Sequence, residues 1–99
     1  MMMKLINRDS EGELLLIGRL DATTSPEAEE LFLQMTQRFE KLTLHMGELQ
    51  YISSAGLRVL KKTYMAMVKK NGTLELSHVN KMVMEVLEMT GFSGLLKIV

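Results

Sequence analysis

The stretch Leu49-Gln50-Tyr51-Ile52-Ser53-Ser54-Ala55-Gly56-Leu57 links a predicted strand to the central predicted helix of the chain. The strand is residues 42–46, which alternate apolar and polar side chains, and Gly47 is predicted to end it. The helix is residues 54–70, because apolar residues recur at helical spacing on one side: Leu57, Leu60, Tyr64, Met67 and Val68. Loops that leave the C-terminal ends of strands in α/β sheets commonly carry functional sites. This stretch is therefore the first candidate for one.

Upstream of it, residues 2–8 and 13–20 have the pattern of two antiparallel strands on either side of a turn at Asp9-Ser10-Glu11-Gly12. The second strand contains the run Leu14-Leu15-Leu16-Ile17. Consecutive apolar positions predict that helices cover both faces of this strand inside the sheet. A helix then begins at Thr24 or Ser25, either of which could cap it, and ends near Phe39.

Downstream, residues 73–77 form a predicted strand with Leu74 and Leu76 facing the core. Asn80 is the predicted cap of a third helix that stops at Thr90-Gly91, and residues 95–99 form a last strand. The order β-β-α-β-α-β-α-β predicts an α/β fold, with a mixed sheet of about five strands and three to four helices. The whole chain, residues 1–99, is expected to be one domain.

Charge and composition narrow the function. Twelve basic and twelve acidic residues give no net charge, so nucleic acid and anionic lipid are not expected partners. No cysteine is present, and the two histidines, His45 and His78, are too far apart in sequence to form a ligand-spacing motif. We therefore expect no metal and no cofactor. With no membrane span and no signal peptide predicted, the expected location is the cytoplasm. Five basic residues are predicted to form a solvated helix face: Arg58, Lys61, Lys62, Lys69 and Lys70.

The serine pair admits three chemical roles. A serine at a helix start can cap it by accepting a hydrogen bond from an amide of the first turn. It can also accept a phosphate, because that phosphate meets free N–H donors and the positive end of the helix dipole, and Arg58 lies one turn beyond Ser54. A catalytic serine is disfavoured, because a nucleophile elbow needs glycine two residues before and two residues after the serine. Around Ser54 these positions are Ile52 and Gly56, so only one of the two glycines is present. Capping and phosphorylation both remain open.

Asp21 directly follows the second predicted strand. It either bonds the loop amides ahead of the first helix or takes part in function, and the sequence leaves both roles open.

Three blocks of the sequence resemble one known family. Gly18-Arg19-Leu20-Asp21, the Leu49-to-Leu57 stretch and Met89-Thr90-Gly91-Phe92 are similar to the STAS domain of bacterial anti-sigma factor antagonists. The resemblance runs nearly end to end and implies the SpoIIAA-like α/β fold. It also implies a regulatory protein rather than an enzyme.

In that family, the unphosphorylated antagonist binds an anti-sigma factor that has serine kinase activity, and the sigma factor is released. Phosphorylation reverses the binding, and the resemblance implies a serine phosphatase as a further partner that restores it. By position, Ser54 resembles the phosphorylated serine. Together with the position of Arg58 one turn beyond Ser54, the resemblance predicts a partner-binding surface of six residues: Asp21, Ser53, Ser54, Ala55, Gly56 and Arg58.

Ser53 departs from the family pattern, since well-known members often have aspartate at this position. Other members of the family are constitutive adaptors in stress-signalling or lipid-transport complexes. That role is the alternative function. The sequence specifies neither the sigma factor, nor the kinase, nor the oligomeric state.

Overall fold

Five strands follow one another across a single mixed sheet in the same order as along the chain. The computed structural model describes residues 1–99. The first two strands are antiparallel, and every later neighbour is parallel. The predicted α/β class with a five-stranded mixed sheet is confirmed, and the helices number four. The elements are β1 (Met2–Arg8), β2 (Glu11–Leu20), α1 (Ser25–Arg38), β3 (Lys41–Ile52), α2 (Ser54–Lys69), β4 (Thr73–Ser77), α3 (Lys81–Met89), α4 (Phe92–Leu95) and β5 (Lys97–Ile98).

The helices cover one face of this sheet. Right-handed crossovers between parallel strands that advance in one direction place all of their helices on the same side. Leu14 and Leu16 of β2 are fully buried in one core with the apolar stripes of α1, α2 and α3. Leu15 and Ile17 point to the other face and are only half-buried. The prediction that helices cover both faces of this strand is therefore wrong, and we call the second side the open face.

The hairpin between β1 and β2 is tighter than predicted. Arg8 pairs with Glu11, so only Asp9 and Ser10 form the turn. Asp9 adopts a positive φ of 55°, a conformation that aspartate tolerates better than most residues. Gly12 belongs to β2 rather than to the turn, and a Cβ there would lie 2.5 Å from the ring of Phe39.

Strand β3 does not end at Gly47, as the sequence predicts, but continues to Ile52. His45 pairs with Leu15 and Glu48 pairs with Ile17, so two residues of β3 lie opposite one residue of β2. Glycine inside a strand commonly marks such a bulge. The bulge lets β3 continue beside β2, so the residues predicted to form a loop belong to a strand that ends directly before Ser53.

The helix ends confirm some predictions and correct others. Asn80 caps α3, because its Oδ1 accepts a hydrogen bond from the Val83 N–H at 2.9 Å. Thr24 is the N-cap residue of α1, although its side chain makes no capping bond. Val68 was predicted on the apolar side of α2 but is 48% exposed. Strand β5 is restricted to Lys97–Ile98, shorter than predicted. None of the four helices is long and apolar enough to span a bilayer.

Candidate functional site

The predicted site residues meet where β2 and β3 end. Leu20 pairs with Ile52, the last residue of each strand. The Ser53 N–H donates to the Leu20 carbonyl oxygen at 2.9 Å, which fixes the start of α2 beside the loop that begins at Asp21. The structure thus brings Asp21 and the serine pair to the same edge of the sheet.

The two serines occupy different positions. Ser53 is half-buried and is the N-cap residue of α2, and its Oγ accepts a hydrogen bond from the Gly56 N–H at 3.4 Å. Ser54 is the first residue of the helix, is exposed, and its hydroxyl makes no hydrogen bond. The capping role therefore belongs to Ser53, and the hydroxyl of Ser54 is available for other chemistry.

Gly56 lets the first turn of α2 pack against the end of β2. A Cβ at this position would lie 2.8 Å from both the carbonyl oxygen and Cγ of Leu20, and 2.9 Å from Cγ1 of Ile52. Real Cβ atoms do not approach backbone oxygen this closely, so the packing requires glycine. The position of Ser54 relative to the sheet depends on this contact.

The start of α2 carries unpaired hydrogen-bond donors. The backbone N–H groups of Ser54 and Ala55 have no partner, as is usual for the first turn of a helix. Arg58 is exposed one turn later and forms no ion pair, whereas Lys62 is paired with Glu29 at 2.9 Å. The free amides, the helix dipole and the guanidinium together favour a negative group at this position.

A cavity of about 340 Å³ opens between the first turns of α1 and α2. Ala55, Arg58 and Lys62 line it from α2, and Ala22 and Ser25 line it from the loop and from α1. The Ser25 hydroxyl is buried without a hydrogen-bond partner. The cavity places the loop after β2 and the N-terminal end of α2 on one continuous surface.

Asp21 organises the loop ahead of α1. Its Oδ1 accepts hydrogen bonds from the N–H groups of Thr23 at 3.0 Å and Thr24 at 3.2 Å, and its Oδ2 lies 3.5 Å from Nε of Arg19. The bond from the Thr24 amide, followed by those from Thr23 and Arg19, holds the pKa of this carboxyl below its ordinary value. The structural role left open by the sequence is confirmed, and a functional role for Asp21 stays a prediction.

The predicted basic face is divided by the structure. Arg58, Lys61, Lys62 and Lys69 line a groove of about 510 Å³ on α2, together with Leu33 and Met65. Lys70 points elsewhere, because its Nζ donates to the carbonyl oxygens of Thr36 and Phe39 at the end of α1. The basic groove adjoins the site through Arg58, which lines both cavities.

His45 and His78 are 33 positions apart in sequence, yet their Nδ1 atoms lie 3.2 Å apart on the open face. Only the pairing of His45 with Ser77 across β3 and β4 brings them together. No signal in the linear sequence marks that pairing.

Comparison with known proteins identifies one family over most of the chain. The model of the STAS domain family matches residues 5–99. A candidate anti-sigma factor antagonist of Bordetella bronchiseptica, BtrV, is 34% identical over 93 residues, which cover 91% of this chain and 80% of BtrV.

Two solved structures show the same fold at low identity. The crystal structure of a candidate anti-sigma factor antagonist from Thermotoga maritima has a TM-score of 0.90 and 18% identity, and covers 97% of this chain and 84% of its own. The Bacillus cell fate determinant SpoIIAA in its phosphorylated form has a TM-score of 0.77 and 12% identity, and covers 99% of this chain and 91% of its own.

Proposed function

This chain belongs to the STAS domain family, and from that membership we propose that it is an anti-sigma factor antagonist. In this proposal it is a regulatory protein and not an enzyme. Its unphosphorylated form binds an anti-sigma factor in the cytoplasm, and the sigma factor is released. The name of the relative BtrV and the names of the structural neighbours support this assignment.

The proposed switch is phosphorylation of Ser54 by the serine kinase activity of the anti-sigma factor, with a serine phosphatase reversing it. The observation that carries this proposal is the difference between the two hydroxyls. Ser54 is exposed and unbonded, so a kinase can reach it without disturbing the fold. Ser53 caps the helix, and modifying it would remove a bond to the Gly56 amide. That a structural neighbour is described in a phosphorylated form agrees with such a switch.

A phosphate on Ser54 acts differently in the free protein and in the complex. In the free protein it meets the unpaired amides of the first turn and the side chain of Arg58, which stabilise it. In the complex the same charge of roughly −1.5 to −2 faces a surface that fits a neutral hydroxyl. Misplaced interfacial charge costs several kcal/mol, and about 1.4 kcal/mol changes affinity tenfold. Phosphorylation therefore stabilises the free protein and destabilises the complex, and both effects favour dissociation.

The proposed partner surface contains the residues that share the sheet edge with Ser54. Ala55 and Arg58 line the cavity beside it, and the loop ordered by Asp21 forms the opposite wall. Gly56 and Ser53 hold the helix start in place rather than presenting large side chains.

The first step is a pull-down in which this chain, carrying an affinity tag, captures its kinase from an extract of the native cell. The purified kinase and ATP should add one phosphate to the wild-type chain, located at Ser54 by peptide mass spectrometry. Ser53→Ala is the matched control and should still accept it, whereas Ser54→Ala should not. Phosphate on any other residue, or on Ser54→Ala, would contradict the assignment.

The binding arm uses Ser54→Asp and its neutral isostere Ser54→Asn, measured against the same partner by calorimetry. We expect Ser54→Asp to bind at least about tenfold more weakly than Ser54→Asn, because only the former adds a negative charge. If the two variants bind equally tightly, charge does not control the complex. The alternative, a constitutive adaptor in a stress-signalling or lipid-transport complex, would then replace the switch.

A further inference from the structure

A cluster of four polar side chains lies on the open face of the sheet, away from Ser54. His45 on β3 and Glu13 on β2 point to this face, as does Ser77 at the end of β4, and His78 follows directly. His45 Nδ1 lies 3.2 Å from His78 Nδ1 and 2.5 Å from Ser77 Oγ, and His78 Nδ1 lies 3.2 Å from the same oxygen. The two nitrogens and the oxygen thus lie within hydrogen-bond distance of one another around one point.

The outer ring nitrogen of His45 is held by a carboxylate. Its Nε2 lies 2.6 Å from Oε1 of Glu13. An ionised carboxylate can only accept a hydrogen bond, so Nε2 carries a proton, and in the neutral ring Nδ1 then presents its lone pair to the centre of the cluster. A metal-binding histidine is typically oriented by such a carboxylate behind it.

The backbone around His78 is arranged to bring its ring to this point. His78 has a positive φ of 54°, which is uncommon for residues other than glycine and is found where local structure requires it. A Cβ on Gly47 would lie 3.2 Å from the carbonyl oxygen of His78, so the glycine of the bulge allows the close approach. The bulge and the left-handed residue together set the spacing of the two imidazoles.

We propose that His45 and His78 bind a divalent first-row transition metal such as Zn²⁺ through their Nδ1 atoms. Two nitrogens 3.2 Å apart, each about 2.1 Å from an ion, subtend an angle of roughly 100°, close to tetrahedral. Imidazole suits zinc, copper and nickel.

The two imidazoles are the side chains that bind the ion directly, because no group of three or more His, Cys, Asp or Glu side chains is arranged around the point. Metal binding would replace the hydrogen bonds between Ser77 Oγ and the two Nδ1 atoms. Glu48 lines a cavity of about 300 Å³ beside both histidines. Water fills the remaining positions. This site is independent of the proposed role of Ser54.

The experiment uses the tag-free ¹⁵N-labelled chain titrated with ZnCl₂ and observed through the imidazole nitrogens by NMR. The chain has only two histidines, so every imidazole signal belongs to His45 or His78. We expect zinc to shift the Nδ1 resonance of both rings and to leave both Nε2 atoms protonated. Coordination through Nε2, a shift in only one ring, or no shift up to millimolar zinc would overturn the proposal.

Three variants sharpen the test. His78→Asn should lower zinc affinity at least about tenfold while keeping the fold, because asparagine tolerates a positive φ. Glu13→Gln should weaken zinc binding by about 10-fold to 100-fold through loss of the carboxylate behind His45. Glu11→Gln, on the same strand but bonded to Lys41, is the matched control and should bind zinc like the wild type. Equal affinity for Glu13→Gln and Glu11→Gln would show that Glu13 does not orient a metal ligand.

Discussion

The contact between Gly56 and β2 predicts a specific loss of stability for Gly56→Ala. The added Cβ would lie 2.8 Å from the Leu20 carbonyl oxygen, and backbone cannot move aside as a flexible side chain can. Overpacking of this kind costs about 1–3 kcal/mol, whereas alanine in place of glycine in a helix gains up to about 1 kcal/mol. Subtracting the full gain leaves a net loss of up to roughly 2 kcal/mol, centred at about 1 kcal/mol, and that central value lowers the melting temperature by about 4–8 °C for a domain of this size.

Thermal unfolding followed by circular dichroism measures this loss. Gly94→Ala is the matched control, because Gly94 also lies in a helix but has no atom within 4 Å of the position of a Cβ. We expect that variant to melt at or slightly above the wild-type temperature. If Gly56→Ala melts no lower than Gly94→Ala, the close packing of α2 on β2 would be refuted.

Two further predictions concern charged groups. Because hydrogen bonds lower the pKa of Asp21, its ionised form stabilises the fold above the ordinary aspartate pKa, and that contribution is lost as pH falls through the lowered value. Urea unfolding from about pH 6 to about pH 2 should show the stability difference between wild type and Asp21→Asn shrinking with acid, and a constant difference would contradict this. Glu75, whose side chain is 10% exposed, bonds Lys97 at 2.8 Å and Lys41 at 3.4 Å. Glu75→Gln should lose about 1–3 kcal/mol of unfolding free energy. The control Glu11→Gln, at a side chain that is 58% exposed, should lose less than about 0.5 kcal/mol. Similar losses in the two variants would show that the bonds from Glu75 to Lys41 and Lys97 do not stabilise the fold.

The sequence predicts a local feature correctly where neighbouring residues alone determine it. Asn80 was predicted as a cap and is one, because capping depends only on the three residues that follow. Gly47 shows the opposite case. A glycine that ends a strand and a glycine in a bulge look alike in sequence, and only the register with β2 distinguishes them.

The sequence predicts that the serine pair lies at the start of α2, but it does not predict which serine caps the helix and which is exposed. Ser53 and Ser54 are chemically identical, and the residue that caps α2 depends on where β3 ends. Because β3 extends to Ile52, Ser53 takes the cap and Ser54 is left exposed. Similarly, the apolar run of β2 could not reveal that Leu15 faces the open side, since that follows from all helices lying on one face.

The identical order of strands in the sheet and in the chain has a consequence for how the protein folds. Each strand pairs with the one made just before it, and none has to be inserted between two strands already paired. Loop closure therefore spans one helical crossover at a time, which keeps the entropic cost of each step low. A chain leaving the ribosome can extend this sheet in the direction of synthesis, starting from the β1–β2 hairpin and adding β5 last.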